Sequence, residues 1–258
     1  MGNVYTTEIT SESIPSDNPI HQRLLRPYVL VSGWVKGDVL EVGCGEGRGV
    51  ELMMNASETY TAIDKIEPVI NRLKEKYPKG NFYSGHIPPF TMLQDSQFDC
   101  VVSFQVIEHI EDDRTFLREI HRVLRPGGKA FITTPNRPMS LSRNPWHVRE
   151  YTGQELSALA AGIFPTVEMR GISGNEKVMT YYQRNKQSVD RMMRWDFLDL
   201  QHRLPASWLR LPYEIVNRMN RKKLKASADE LVASIRQDDY LLSDHANQSL
   251  DLFLIVTK

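Results

Sequence analysis

The stretch Val39-Leu40-Glu41-Val42-Gly43-Cys44-Gly45-Glu46-Gly47-Arg48-Gly49 constrains the fold of this chain more than any other. Its apolar run, Val39 to Val42, breaks into glycines spaced by two, and an apolar pattern at helical spacing follows. That order predicts a buried strand, a tight turn and a helix start. Glycine is required where the chain takes positive φ or where a ligand lies directly on the backbone. The unpaired N–H groups of the first helical turn then offer that ligand hydrogen bonds.

The spacing separates two kinds of nucleotide-binding turn. A dinucleotide fingerprint is Gly-x-Gly-x-x-Gly, and counted from Gly43 its last glycine falls on Arg48. A nicotinamide-dependent dehydrogenase is disfavoured on that ground. The chain carries Glu41-x-Gly43-x-Gly45-x-Gly47 instead, which resembles motif I of the class I S-adenosylmethionine-dependent methyltransferases. Tyr60-Thr61-Ala62-Ile63 reads as a second strand ending at Asp64, 21 positions after Gly43. That is close to the roughly 20 residues at which a carboxylate on strand two meets ribose hydroxyls in doubly wound folds.

Further along, helices are predicted at Pro19 to Val35 and Glu67 to Tyr77. Strands are predicted at 81–84, 98–104, 130–134, 166–171 and 250–256. The text Phe98-Asp-Cys-Val-Val-Ser-Phe-Gln-Val-Ile-Glu-His-Ile110, followed by Leu124-Arg-Pro-Gly-Gly128, resembles a small-molecule subgroup of that family that includes the quinone-type methyltransferases. Pattern and resemblance together imply an α/β fold: a Rossmann-like, seven-stranded, mostly parallel sheet with helices on both faces. The expected organisation is a flexible N-terminus over 1–18, a core over 19–175 and 250–258, and a mainly helical insertion or cap over 176–249 before the last strand.

The resemblance implies S-adenosylmethionine as cofactor and S-adenosylhomocysteine as product. Its site is expected at Glu41, Gly43, Cys44, Gly45 and Gly47, with Asp64 on the ribose, Lys65 after it, and Gln105 at the end of strand four. Gly85-His86-Ile87 stands where the family commonly has Gly, Asp and an apolar residue beside the adenine. Here His86 replaces the acid, and its imidazole can donate or accept. Arg26 and Tyr28 on the first helix are further candidates, with a solvated face as the competing reading of the arginine.

Past strand five, Asn136, Arg137, Trp146, His147, Arg149 and Tyr151 lie in a loop expected over the mouth of the site. Holding the acceptor and packing down under Trp146 are equal readings of it. His109 and His147 are the candidates for taking a proton from a hydroxyl acceptor, because imidazole titrates near neutral pH. Thr152 to Glu155 has the spacing of a capping box and predicts a helix running to about Ala161.

Charge and composition bound the partners. Lys plus Arg equal Asp plus Glu, so no global electrostatic attraction to nucleic acid exists. The two cysteines, Cys44 and Cys100, fall inside strand or turn segments, which argues against a disulfide or zinc framework; no metal site is expected, and the cytoplasm is the expected location. No apolar run approaches the roughly 18 to 20 residues of a membrane span. Within the insertion, residues 184–225 hold eleven Lys or Arg against four acids. Leu211, Ile215 and Met219 form an apolar stripe there, and Ser227 to Glu230 offers a second capping box.

Such a basic amphipathic segment suits a lid, a dimer surface or weak contact with an anionic membrane surface. A cap over an acidic or lipid-linked acceptor is favoured, on a monomer or homodimer. The expected activity is methyl transfer by in-line displacement to a small-molecule or lipid- or sugar-linked acceptor, with O-methylation favoured. A methyltransferase-like module that binds without catalysis is the alternative.

Overall fold

The computed structural model describes residues 15–194, 208–210, 213, 215, 217–220, 226 and 229–258. A short 3-10 turn, Pro15–Asp17, leads into α1 (Asn18–Val31). Ser16 and Asp17 are buried, so the part of the expected flexible start that is described belongs to the folded body. Then follow β1 (Asp38–Val42), α2 (Val50–Ala56), β2 (Thr59–Asp64), α3 (Glu67–Lys76), β3 (Asn81–Ser84) and β4 (Phe98–Phe104). The second half holds α4 (Asp113–Val123), β5 (Leu124–Pro135), α5 (Gly153–Ala161), β6 (Thr166–Gly174), α6 (Glu176–Met193), α7 (Asp229–Ser234), β7 (Tyr240–Ser243) and β8 (Asp251–Thr257).

The eight strands form one sheet in the order β3-β2-β1-β4-β5-β8-β6-β7. The first five pair in parallel, and β8, β6 and β7 pair antiparallel. The Rossmann-like expectation therefore holds with one strand more than anticipated. The extra strand, β7, is four residues at the sheet edge, inside the segment expected to be helical. A run that short carries no period of its own, and only its ladder with β6 makes it a strand.

Helices cover both faces, and alternation along β1 shows how the two cores divide. Val39 joins the cluster under α1, α2, α3 and α6, whereas Leu40 and Val42 join the cluster under α4 and α5. The capping box at α5 forms as expected, with the Thr152 hydroxyl accepting from Glu155 N and the Glu155 carboxylate accepting from Thr152 N. The capping box at Ser227 involves residues outside those described, as does Leu211 of the apolar stripe. Its other members, Ile215 and Met219, are exposed instead of packed inward. Among the described residues no helix is long and apolar enough to cross a membrane.

Candidate active site

Strand order reverses between β1 and β4, and ligands of open α/β sheets settle beyond the carboxyl ends of the strands at such a point. The turn after β1 opens there. Gly43, Gly45 and Gly47 all have positive φ, at +83°, +50° and +87°. A side chain at Gly43 would strike Val106, and one at Gly47 would strike Leu73, so these two are required by packing. At Gly45 a Cβ would meet nothing within 4 Å. The turn is bare on that side.

Asp64, at the end of β2, is aimed at this turn. Its Oδ2 accepts from Gly45 N at 2.8 Å and its Oδ1 from Ile66 N at 3.0 Å. A carboxylate has about four acceptor positions, so each oxygen keeps one for a ligand hydroxyl. An open backbone cradle with a nearly buried acid beside it fits the amino-acid tail and ribose of a sulfonium nucleoside.

Several expected cofactor contacts are structural instead. Glu41 lies on the α1 face of β1 and is buried, and its carboxylate accepts from the hydroxyls of Tyr28, at 2.6 Å, and Tyr60. Burial pushes the Glu41 carboxyl up in pKa even though both tyrosine bonds pull it down. Tyr28 is likewise buried, edge-on to Phe104, with its ring directly behind Gly49. Glu41 and Tyr28 thus brace the turn from beneath. The Cys44 side chain packs into the same core, leaving its backbone alone at the turn. Arg26 is turned to Gln237, to which its Nη1 donates at 2.8 Å, so it does not reach the turn.

Lys65 and His86 are exposed, and Ile87 is half-buried against the second core. Gly85 N donates to Asp64 O, which sets the 85–87 loop beside the Asp64 strand end. Gln105 has φ +58°, a left-handed conformation unusual for a residue with a side chain and one that clusters at functional sites. Its Nε2 donates to Thr133 Oγ1 and Asp251 Oδ1, both at 3.3 Å.

Beyond Gln105 lies a cavity of about 310 Å³, walled by α1, the ends of β4 and β5, the 139–150 loop, α6 and helical residues 213, 217 and 220. His109 and His147 both line it, with ring centroids 5.0 Å apart. His109 Nδ1 lies 2.9 Å from the Trp146 carbonyl oxygen, which can only accept, so Nδ1 carries the proton and Nε2 is the basic nitrogen. His147 Nδ1 pairs with Glu150 at 2.6 Å, and its Nε2 is 2.8 Å from Asn144 Nδ2.

Glu108 is buried beside this pair, accepts from Thr134 Oγ1 at 3.0 Å, and is pushed up to about pH 7 by burial. Glu108, His109 and His147 each bring a ligand atom within 4.8 Å of the others, near enough to share a cation. Both nitrogens of His147 are already hydrogen-bonded within the protein.

The remaining loop residues are held elsewhere. Asn136 is buried and donates to the carbonyls of Ala246, Asn247 and Ser249, bracing that turn. Arg137 pairs with Glu155 at the exposed start of α5. Arg149 and the buried Tyr151 both bind Asp113 on α4. Trp146 is covered by Arg210, whose guanidinium sits 4.1 Å from its ring. Of the expected acceptor residues, only His147 faces the cavity.

Sequence reasoning missed the ion pair at the cavity wall. Arg23 on α1 clamps Asp251 on β8 through two bonds of 2.6 and 2.7 Å, and also donates to Leu250 O. The partners stand 228 positions apart, and no local signal connects them.

A family model described as a methyltransferase domain matches residues 40–132. A probable S-adenosylmethionine-dependent methyltransferase of Mycolicibacterium smegmatis is 30% identical over 219 residues, spanning 83% of this chain and 77% of the relative. A ubiquinone biosynthesis O-methyltransferase of Xanthomonas oryzae is 31% identical over 103 residues, 38% of this chain and 43% of the relative. Among solved structures, an S-adenosylmethionine-dependent methyltransferase of Thermotoga maritima, described as a possible histamine N-methyltransferase, shares the fold. Its TM-score is 0.57 at 14% identity, over 93% of this chain and 92% of that one.

Proposed function

Because the chain belongs to the class I S-adenosylmethionine-dependent methyltransferases, we propose that it methylates a hydroxyl of a small acceptor held in the cavity beside His109 and His147. Bound S-adenosylmethionine supplies an electrophilic methyl on a positively charged sulfur. The residues that would hold it are Gly43, Gly45 and Gly47 by their backbone and Asp64 by its carboxylate, with Gly85 to Ile87 beside the adenine. Little covalent chemistry is left to the protein. Its work is to align the acceptor, exclude water and remove one proton.

His109 is the proposed general base. Its tautomer is set by the Trp146 carbonyl, so Nε2 is the atom that takes the acceptor proton. The imidazolium formed there lies beside His147, which Glu150 orients, and beside Glu108, which balances between its two protonation states near neutral pH. Glu150 is a positioning residue in this scheme.

The observation that carries the reading is the pairing of Asp64 Oδ2 with Gly45 N at the one open glycine of the turn. Titration calorimetry with S-adenosylhomocysteine, followed by methyl transfer from labelled cofactor to hydroxylated and amine acceptors, tests it. Tight binding with transfer to a hydroxyl is expected. Binding without any transfer would mark a non-catalytic module, and absence of binding would remove the cofactor assignment.

A further inference from the structure

Among the described residues, the charged groups of the cavity wall have hydrogen-bonded partners within the protein. Arg23 is the one permanent cation among the described lining residues, and its Nε and one Nη donate to Asp251, which is 2% exposed. Glu150 is hydrogen-bonded to His147 and Ser140. The Glu108 carboxyl is pushed up to about 7, because burial opposes its charge. Among the described residues an anionic acceptor would find no permanent cation other than Arg23, which is already paired with Asp251, and a cationic one only carboxyls that already have partners. Burying an unpaired charge is costly, so the described part of the wall suits a neutral molecule.

The neutral groups on the wall say which neutral molecule. Asn185 lines the cavity from α6, and its Oδ1 accepts from Asn220 Nδ2 at 2.7 Å, leaving its own Nδ2 donors uncommitted among the described residues. Asn217 also lines the cavity, with no hydrogen bond to any described residue. An amide that can both donate and accept matches a hydroxyl, which does both as well. Covering these amides with a flat apolar ring would dehydrate them without replacement, at about 1 to 3 kcal/mol each.

Two of the lining tyrosines have their hydroxyls occupied. Tyr182 and Tyr240 spend their hydroxyls on the carbonyls of Met139 and Pro19, at 3.1 and 2.7 Å, so their rings serve as walls. Ring faces beside bifunctional amides suit a saturated ring that carries hydroxyls on its edge and C–H groups on its face. We propose that the acceptor is a neutral polyhydroxylated molecule of the sugar or polyol class, read by Asn185 and Asn217. This rests on the methyltransferase reading above and narrows it.

The test uses the full chain loaded with S-adenosylhomocysteine, after calorimetry has shown that loading. Saturation-transfer NMR then compares four probes at equal concentration: a neutral methyl hexopyranoside, its uronic acid, the corresponding amino sugar and a hydroquinone. The neutral glycoside is expected to bind best. Asn217→Leu and Asn185→Leu, with Asn217→Ala as the milder variant, are expected to weaken it at least about tenfold while S-adenosylhomocysteine affinity stays unchanged; Tm stays unchanged in the two Asn217 variants and falls in Asn185→Leu, which strips Asn220 Nδ2 of its partner. Preference for the uronate, the amine or the hydroquinone, no signal from the glycoside, or normal glycoside binding by all three variants would overturn the acceptor class. The methyltransferase reading would survive each of these, and it falls separately if S-adenosylhomocysteine does not bind.

Discussion

Asp64 and Gly45 are joined by a 2.8 Å hydrogen bond from the Gly45 N–H to Asp64 Oδ2, across the gap between the ends of two adjacent parallel strands. The bond fixes the carboxylate against the glycine turn. Asp64→Asn keeps the size of the side chain but places an amide donor where a backbone N–H also donates. S-adenosylhomocysteine affinity should fall at least about tenfold, equivalent to about 1.4 kcal/mol, while the fold persists by circular dichroism. Unchanged affinity in calorimetry would detach Asp64 from the cofactor.

Gly43 and Gly45 should respond differently to alanine. At Gly43 the new Cβ would lie 2.3 Å from Val106 with φ at +83°, so Gly43→Ala should cost about 1 to 3 kcal/mol in denaturant unfolding. At Gly45 the space is open and φ is +50°, which limits the cost to about 1 to 2 kcal/mol. Gly45→Ala should therefore fold yet lose cofactor affinity. Equal affinity in Gly45→Ala and the parent would mean that nothing lies on that turn.

Glu41 and its two tyrosines support the turn without facing it. Tyr28→Phe removes one buried hydrogen bond to a carboxylate and should lower stability by about 1 to 3 kcal/mol. In the folded variant S-adenosylhomocysteine should bind within a factor of about three of the parent, since 0.6 kcal/mol corresponds to about that factor. A large affinity loss without a loss of Tm would return Tyr28 to the site.

Glu108 gives stability a pH dependence. Its carboxyl is raised from 4.5 to about 7 by burial, so between these values the folded state holds the proton more tightly than the unfolded chain. The stabilising effect of that protonation is complete below pH 4.5 and is lost as pH rises through 7. The full shift is worth about 3 kcal/mol. Chemical denaturation of Glu108→Gln from pH 4.5 to 7.5 should show a smaller fall with rising pH than the parent; parallel curves would mean that Glu108 ionises freely.

His109→Gln should reduce kcat by about 100-fold or more, the usual contribution of a general base, with acceptor KM and S-adenosylhomocysteine Kd little changed. Glu150→Gln should give a smaller loss in kcat and an altered pH-rate profile, because it acts through His147. Full turnover in His109→Gln would leave alignment as the sole catalytic contribution of the wall.

What the residues alone revealed was local. The strand, glycine turn and helix of 38–56, the acid at the end of β2, and the Thr152 capping box each depend on neighbours a few positions away or on a regular period, and all were legible in the text. Side-chain roles were not. Glu41, Asn136, Arg149 and Tyr151 have residue types suited to a ligand, but partners as distant as Ser249 claim them for bracing.

Arg23 rather than Arg26 turns to the ligand end because Asp251 waits there on the last strand, and β7 exists because β6 offers it an edge. A sequence states which groups are present and how the backbone repeats. Which of those groups remains available to a ligand depends on what the folded chain brings within hydrogen-bonding distance, since a polar atom already satisfied by a buried neighbour gains little from a second partner.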